Sequence, residues 1–347
     1  MFYLIKKLFY STLVLLGVVA LVFIMFQGLG DPARLIVGQT GDKKTLDNIR
    51  ADLYLDQPKW KQFFLYLDDV SPLCIHSKAD IEKKDLKGLF IGSNTEIGLK
   101  IPYLRQSYQT KKNVGAVLME ALPGTLLLAF AAMLFATIIG ILLGVLAAVK
   151  KGTWMDTSAV FASIAGISAP SFFMAVIIAF LFGVVLHPFT GLNLTGSWFD
   201  IDEVTGEKYL TLKNLILPAF TLGIRPLAII TQLTRSSMLD VLNQDYIRTA
   251  YAKGLNKRTV IFKHALRNAL NPVITAITGW FAELLAGAFF VEYIFGWKGI
   301  GKVTVDALEK LDYPVVMGSV LLSACIFILI NILADVLYRI IDPRVRI

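Results

Sequence analysis

Six long, weakly charged apolar runs decide what this chain can fold into. They cover residues 8–26, 122–149, 158–186, 212–233, 273–294 and 315–338. A run of about 18 residues or more crosses the roughly 30 Å hydrocarbon core of a bilayer as an α-helix. Lipid offers the backbone no other hydrogen-bond partners, so the helix must satisfy itself. A soluble domain would scatter its apolar residues in short periodic stripes instead. Of the 347 residues 56% are hydrophobic and only 17% charged, which is the composition of a membrane chain. The fold predicted is an all-α polytopic membrane protein with six transmembrane helices.

The first run follows Lys6 and Lys7 and exceeds the apolar core of a cleaved signal peptide, so it reads as a retained anchor. Lysine and arginine collect on the cytoplasmic side of spans. Lys150 and Lys151, the cluster Arg235, Arg248, Lys253, Lys257, Arg258, Lys263 and Arg267, and the tail residues Arg339, Arg344 and Arg346 all fall on the side of Lys6 and Lys7. The loop between the third and fourth runs is acidic, with Asp200, Asp202, Glu203 and Glu207 against Lys208. Both termini are therefore expected in the cytoplasm, and the formal charge of +8 is explained by the membrane rather than by nucleic acid.

This arrangement divides the chain into an anchor helix (1–26), an extracytoplasmic segment (27–113) and a five-helix core (114–347) holding a cytoplasmic loop at 240–272. Within the outer segment, "TLDNIRADLYLDQPKWKQFFLYL" predicts two short amphipathic helices separated at Pro58, while 71–112 has no clear period. Cys74 and Cys325 lie on different levels of this topology and are not expected to pair. His76, His187 and His264 are far apart, and no metal site is expected. Phosphate-binding loops of the Walker type, nucleophile elbows and His-Glu-x-x-His helices are missing from the sequence, which argues against an enzyme.

The most distinctive segment is "DYIRTAYAKGLNKRTVIFKHALRNALNP", residues 245–272. Helix formers run from Asp240 to Lys253, Gly254 offers a stop, Thr259 is a candidate cap for a second helix to Ala269, and Asn271-Pro272 ends it. Three readings fit helix, glycine turn, helix. A DNA-reading motif would need a third helix for its core. A basic amphipathic segment would lie on lipid headgroups through Val260, Ile261, Leu266 and Leu270. A docking element would use the small residues Ala250, Ala252 and Gly254 for close approach and its basic residues for orientation.

"RTAYAKGL" followed by "HALRNALNP" resembles the cytoplasmic coupling loop of ABC importer permeases, in the branch importing dipeptides, oligopeptides and nickel. The wider family reads Glu-Ala-Ala, three residues, Gly, about nine residues, then Ile-x-Leu-Pro. Ala250, Gly254 and Leu266 match that pattern, whereas Arg248, Thr249, His264 and Arg267 replace its Glu, first Ala, Ile and Pro in the manner of the peptide and nickel branch. Further resemblance lies in "GDPAR" (30–34), "EALPGTLLLA" (120–129), "ISAPSFF" (167–173), "ILPAFTLG" (216–223), "LTRSSMLDVL" (233–242), "VEYIFGWKGIGK" (291–302), "DYPVVMGSVLL" (312–322) and "DPRVR" (342–346).

The resemblance implies the type I ABC importer permease fold in the bacterial cytoplasmic (inner) membrane. It implies a non-catalytic subunit that pairs with a second homologous permease, as a heterodimer, and forms half of a pathway for di- or oligopeptides; nickel chelates are the alternative cargo. Two cytoplasmic ATPases would hold ATP and Mg, with no cofactor in this chain, and an extracytoplasmic solute-binding protein would deliver substrate. The expected ATPase-coupling residues are Asp245, Tyr246, Arg248, Thr249, Ala250, Lys253, Gly254, Leu255, His264, Leu266, Arg267 and Asn268.

Sequence around 73–105 exceeds the family's usual connector, either as a docking surface for the binding protein or as a solvated insertion. Arg225 and Glu283 fall inside the fourth and fifth runs, where ionisable residues are costly and face a pathway or a partner; they are candidates for substrate contact or for an inter-helix pair. Gly140 and Gly144 have small-xxx-small spacing for close helix packing. Pro170, Pro218 and Pro226 are candidate kinks, and Trp154, Trp198 and Trp297 lie where interfacial belts are expected. An ion-coupled secondary transporter would share broken helices and buried charges, but no internal repeat is visible. A receptor would need an output domain, for which the tail beyond Tyr338 is short.

Overall fold

A computed structural model describes residues 2–28, 33, 43–52, 54–92, 95–201 and 205–341. "GDPAR", apart from Ala33, and "DPRVR" lie outside the described residues, as do Asp202 and Glu203. The chain forms two compact units, Met1–Ala121 with Val303–Cys325 and Leu122–Lys302 with Ile326–Ile347.

The first unit contains α1 (Phe2–Gly28), α2 (Lys43–Asp52) and α3 (Lys59–Val70), then β1 (Leu73–Ser77), α4 (Lys78–Lys84), β2 (Gly88–Ile91) and β3 (Thr95–Lys100). Pro58 caps α3, so the predicted helix pair is present with its break at the expected residue. The stretch without a clear period is an antiparallel sheet in the order β1-β3-β2, with Leu73, Leu99 and Leu89 in register. Its other face covers Cys74, His76 and Lys100. Asp69, fully buried on α3, accepts from Lys84 Nζ at 2.7 Å and faces Arg105 Nε at 3.8 Å. Val19, Val22 and Phe26 of α1 pack with Tyr66 of α3 and with Tyr313, Met317 and Leu321. Asp312 accepts from the Tyr108 backbone N–H at 3.0 Å and from the Ser107 hydroxyl, tying that loop to the start of the last helix.

α5 (Val114–Val149) is followed by α6 (Trp154–Ser168) and α7 (Ser171–Phe180). The helical stretches Trp154–Ser168 and Ser171–Val185 meet at 108° across Ala169 and Pro170, since proline cannot donate the hydrogen bond that would carry the helix through. The third apolar run is therefore broken, not straight. After a small hairpin, β4 (Phe199–Ile201) and β5 (Lys208–Leu210), comes α8 (Ile216–Leu242), which continues through Pro226. Then follow α9 (Asp245–Ala252), α10 (Asn271–Gly287), α11 (Phe289–Ile294), α12 (Ile300–Glu309) and α13 (Tyr313–Ile341).

Four helices among the described residues are long and apolar enough to cross a membrane, and the bent pair makes a fifth. The 273–294 run is divided between α10, with 17 residues, and α11, with a break at Ala288. Leu128, Ala132, Ile178, Leu222, Ile230, Leu284 and Trp297 belong to the second unit's core. Gly140 and Gly144 permit the contact of α5 with α8: a Cβ at Gly144 would lie 2.5 Å from Thr234 Cβ, and one at Gly140 2.8 Å from Ile230 Cγ2. Both glycines do pack as the spacing predicts.

Candidate functional site

Residues 243–270 form a two-sided surface. α8 ends at Leu242, Asn243 and Gln244 turn the chain, and α9 begins at Asp245, so the helix expected from Asp240 to Lys253 is interrupted. α9 ends in a Schellman turn. Leu255 N–H donates to Ala250 C=O at 3.3 Å and Gly254 N–H to Tyr251 C=O at 2.9 Å. Gly254 has φ +79° with nothing within 4 Å of its Cβ position, so glycine is needed there for conformation rather than space.

The next helical run comprises Lys257–Thr259, a π-helical Val260–Ala265 and Leu266–Ala269. Its cap is Asn256, whose side chain accepts from Thr259 N–H at 2.8 Å; Thr259 is the capped residue and not the cap. Asn is the stronger choice, because its short amide reaches the first free N–H groups. The run ends at Ala269 as expected, with Leu270 as its cap, and Pro272 occupies the first turn of α10, where its missing N–H has no partner to lose.

Ile247, Ala250, Val260, Ile261, Ala265 and Ala269 are buried, packed on Val145 and Ala148 of α5 and Met238 of α8. The apolar face thus seats on the ends of spanning helices, so Val260 and Ile261 do not reach lipid headgroups; Leu266 is half-buried in the same cluster, and Leu270 packs with the core of the second unit. The opposite face carries Tyr246, Tyr251, Leu255 and Phe262, all exposed, among Arg248, Lys253, Lys257 and Arg258. Asn268 donates to the Tyr246 hydroxyl at 2.8 Å, joining the two helical runs. Asp245, Thr249 and Arg267 are also exposed, and His264 is half-buried. Of the predicted coupling residues, Ala250 and Leu266 serve the seat, while the exposed ones form the free face.

Asp156 in the first turn of α6 pairs bidentately with Arg235 of α8, at 2.5 Å to Nε and 2.9 Å to Nη2, and accepts from Gly152 N–H at 3.0 Å. This joins the 150–153 loop to α8 beside the two-sided surface. An acid near the first turn with a basic residue on the fourth span was the available signal, but nothing in sequence spacing linked them.

Arg225 and Glu283 are both exposed and do not pair with each other; Arg225 lies over the Trp280 ring, 5.5 Å from its centre. The inter-helix ion pair considered for them is not formed within this chain. They top two polar strips on neighbouring helices. On α10 the exposed residues include Thr275, Gly279 and Glu283, four apart, and on α8 Arg225 continues through half-exposed Ile229 and Gln232 to exposed Ser236.

A buried carboxylate near the end of the fifth run is Glu292, in α11. It is fully buried, accepts from the Thr125 hydroxyl at 2.7 Å and from the Gly301 and Lys302 N–H groups at 2.7 and 3.2 Å, and so caps α12. A Cβ at Gly299 would sit 2.3 Å from its carboxylate. Trp297 is likewise fully buried, its indole N–H donating to Gly124 C=O at 2.9 Å, whereas Trp154 is exposed. Trp297 is therefore part of this lock and not of an interfacial belt. "VEYIFGWKGIGK" signals the lock through its carboxylate and closely spaced glycines, which only a packed partner explains.

Residues 140–347 match the family described as binding-protein-dependent transport system inner membrane component, and residues 1–79 match the related N-terminal family. The chain is 38% identical over 334 residues to the dipeptide transport system permease protein DppB of Escherichia coli K12, covering 91% of this chain and 90% of that protein. It is 35% identical over 347 residues to the glutathione transport system permease protein GsiC of Escherichia coli O6:H1, covering 99% and 98%. Among solved structures, an inward-facing MetNI methionine ABC transporter chain aligns with a TM-score of 0.51 at 18% identity, covering 66% of this chain and 97% of that chain, which speaks to the fold alone.

Proposed function

The chain belongs to the family of binding-protein-dependent transport system inner membrane components, and from that membership we propose that ATPase subunits drive it through the exposed face of residues 245–269. It is a permease subunit of a peptide ABC importer, a membrane component that works with ATPase and binding-protein partners. ATP and Mg belong to the ATPases in this reading, and this chain carries force and lines the path. It pairs with a second, homologous permease, and the lysine and arginine distribution supports cytoplasmic termini. Relatives named for dipeptide and glutathione transport favour peptides over nickel chelates as cargo.

The observation that carries the proposal is the two-sidedness of the surface. Its buried side is fixed to the ends of α5 and α8, and its free side offers aromatic and aliphatic residues ringed by cations, a composition suited to a protein partner. A push on Tyr251 or Leu255 is therefore transmitted to the spans rather than absorbed by a flexible loop, as alternating access requires. Replacing Tyr251, Leu255 and Phe262 together by Glu leaves the buried seat untouched. The expected result is loss of ATPase co-purification, by at least tenfold, from a permease that still inserts and folds; undiminished co-purification would refute the assignment.

A further inference from the structure

Exposed faces of membrane helices report what they face. On α5 the exposed residues within the bilayer include Leu126, Phe130, Leu134, Ile138, Leu142 and Leu146, a surface suited to lipid. α8 and α10 differ: their exposed strips hold Thr275, Gly279 and Glu283 beside Ser236, half-exposed Gln232 and Arg225. Arg225 is about two and a half turns inside α8 and Glu283 about one turn from the end of α10, at the helix rise of ~1.5 Å per residue. Charges at that depth are costly against lipid and belong on a water-filled or protein-covered side. The polar strips of α8 and α10 are therefore suited to water or a protein partner and not to lipid.

Two unlike charges stand at the head of these strips without neutralising each other, and the Trp280 ring holds the guanidinium over the helix that carries Glu283. A free peptide is the chemically complementary guest: it has an ammonium at one end and a carboxylate at the other, about 7 Å apart in an extended dipeptide. We propose that Glu283 binds the peptide ammonium and Arg225 the peptide carboxylate during passage, so that this half of the path reads free termini instead of side chains. Arginine suits the role because its planar fork matches a carboxylate. The proposal rests on the peptide-importer reading and adds a site to it.

The test uses the complete importer in proteoliposomes with its binding protein, dialanine as probe, and N-acetyl-dialanine and dialanine amide as blocked probes. Comparing each variant with the unmodified complex for free against blocked probe cancels the binding protein's own preference. Glu283→Gln is expected to lower dialanine uptake about tenfold relative to N-acetyl-dialanine, and Arg225→Gln about tenfold relative to the amide, the scale of one charged hydrogen bond lost. Glu283→Asp is expected to keep most of the discrimination, and Arg225→Lys only the part that charge alone supplies, because lysine lacks the fork. The two series are independent, so misassembly of one variant still leaves the site exposed to refutation by the other. Equal slowing of free and blocked probes would overturn the site, as for a residue that merely contacts the companion permease. Failure of the unmodified complex to import any of the three would instead overturn the importer reading beneath it.

Discussion

His76 on β1 is buried, with Nδ1 3.0 Å from Asp68 Oδ2 and no hydrogen-bond partner at Nε2. Burial pushes its pKa below the ordinary 6.5; Asp68 and Asp69 pull upward, while Lys84 and Lys100 add to the depression. The folded state thus binds this proton less readily than the unfolded state. Its contribution to stability is complete above pH 6.5 and is lost as pH falls from 6.5 towards the lower folded value. Hydrogen exchange of the β1 and β3 amides, corrected for intrinsic rates, is expected to show protection falling across that window, and His76→Phe to flatten the dependence; the same slope in both proteins would contradict it. At this scale the sequence was legible where one residue type has one physical use. Gly254 announced a left-handed turn because other residues are strained there. Glu292 and Asp156 went unseen, since a carboxylate's worth depends on N–H groups, hydroxyls and guanidinium groups brought in by the fold.

Helices show a different balance. Long apolar runs marked the spans because lipid leaves a buried backbone no other solution, and the shallow spacing of Gly140 and Gly144 marked the face of α5 that meets α8. Pro170 marked the break of the third run in advance, though not its 108° angle, whereas the division of 273–294 at Ala288 was hidden by uniform apolarity, which keeps no record of direction. The sheet of the first unit had left a trace in the alternation of Leu73 and Ile75, of Leu89 and Ile91, and of Ile97, Leu99 and Ile101, all exposed on one face; short strands among lysines masked it. Gly144→Leu would drive a side chain into Thr234 and the Thr231 carbonyl, for an expected loss of about 3 kcal/mol or more in a close-packed helix pair. Gly17→Leu, where nothing lies within 4 Å, is the control. Thermal unfolding of the detergent-solubilised chain should separate the two, and equal midpoints would contradict the packing described.

For the whole molecule, the proposed reading puts the chemistry in partners and the mechanics in this chain. α5 and α8 are held together by their glycine contacts, α6 is clamped to α8 by Asp156 and Arg235, and the seat of residues 245–269 rests on the ends of α5 and α8. Family and membrane placement were readable from the apolar runs and the order of motifs along the chain, whereas which face of the coupling segment is free required the folded arrangement. The most direct test puts a photo-crosslinking amino acid singly at Tyr251, Leu255 or Phe262, and at exposed Leu126 of α5 as control, in an importer that hydrolyses ATP and takes up peptide. Covalent adducts with the ATPase subunit are expected from all three surface positions, with yields that change on ATP binding, and none from Leu126. A transporting complex that gives no ATPase adduct from any of the three positions would contradict the account.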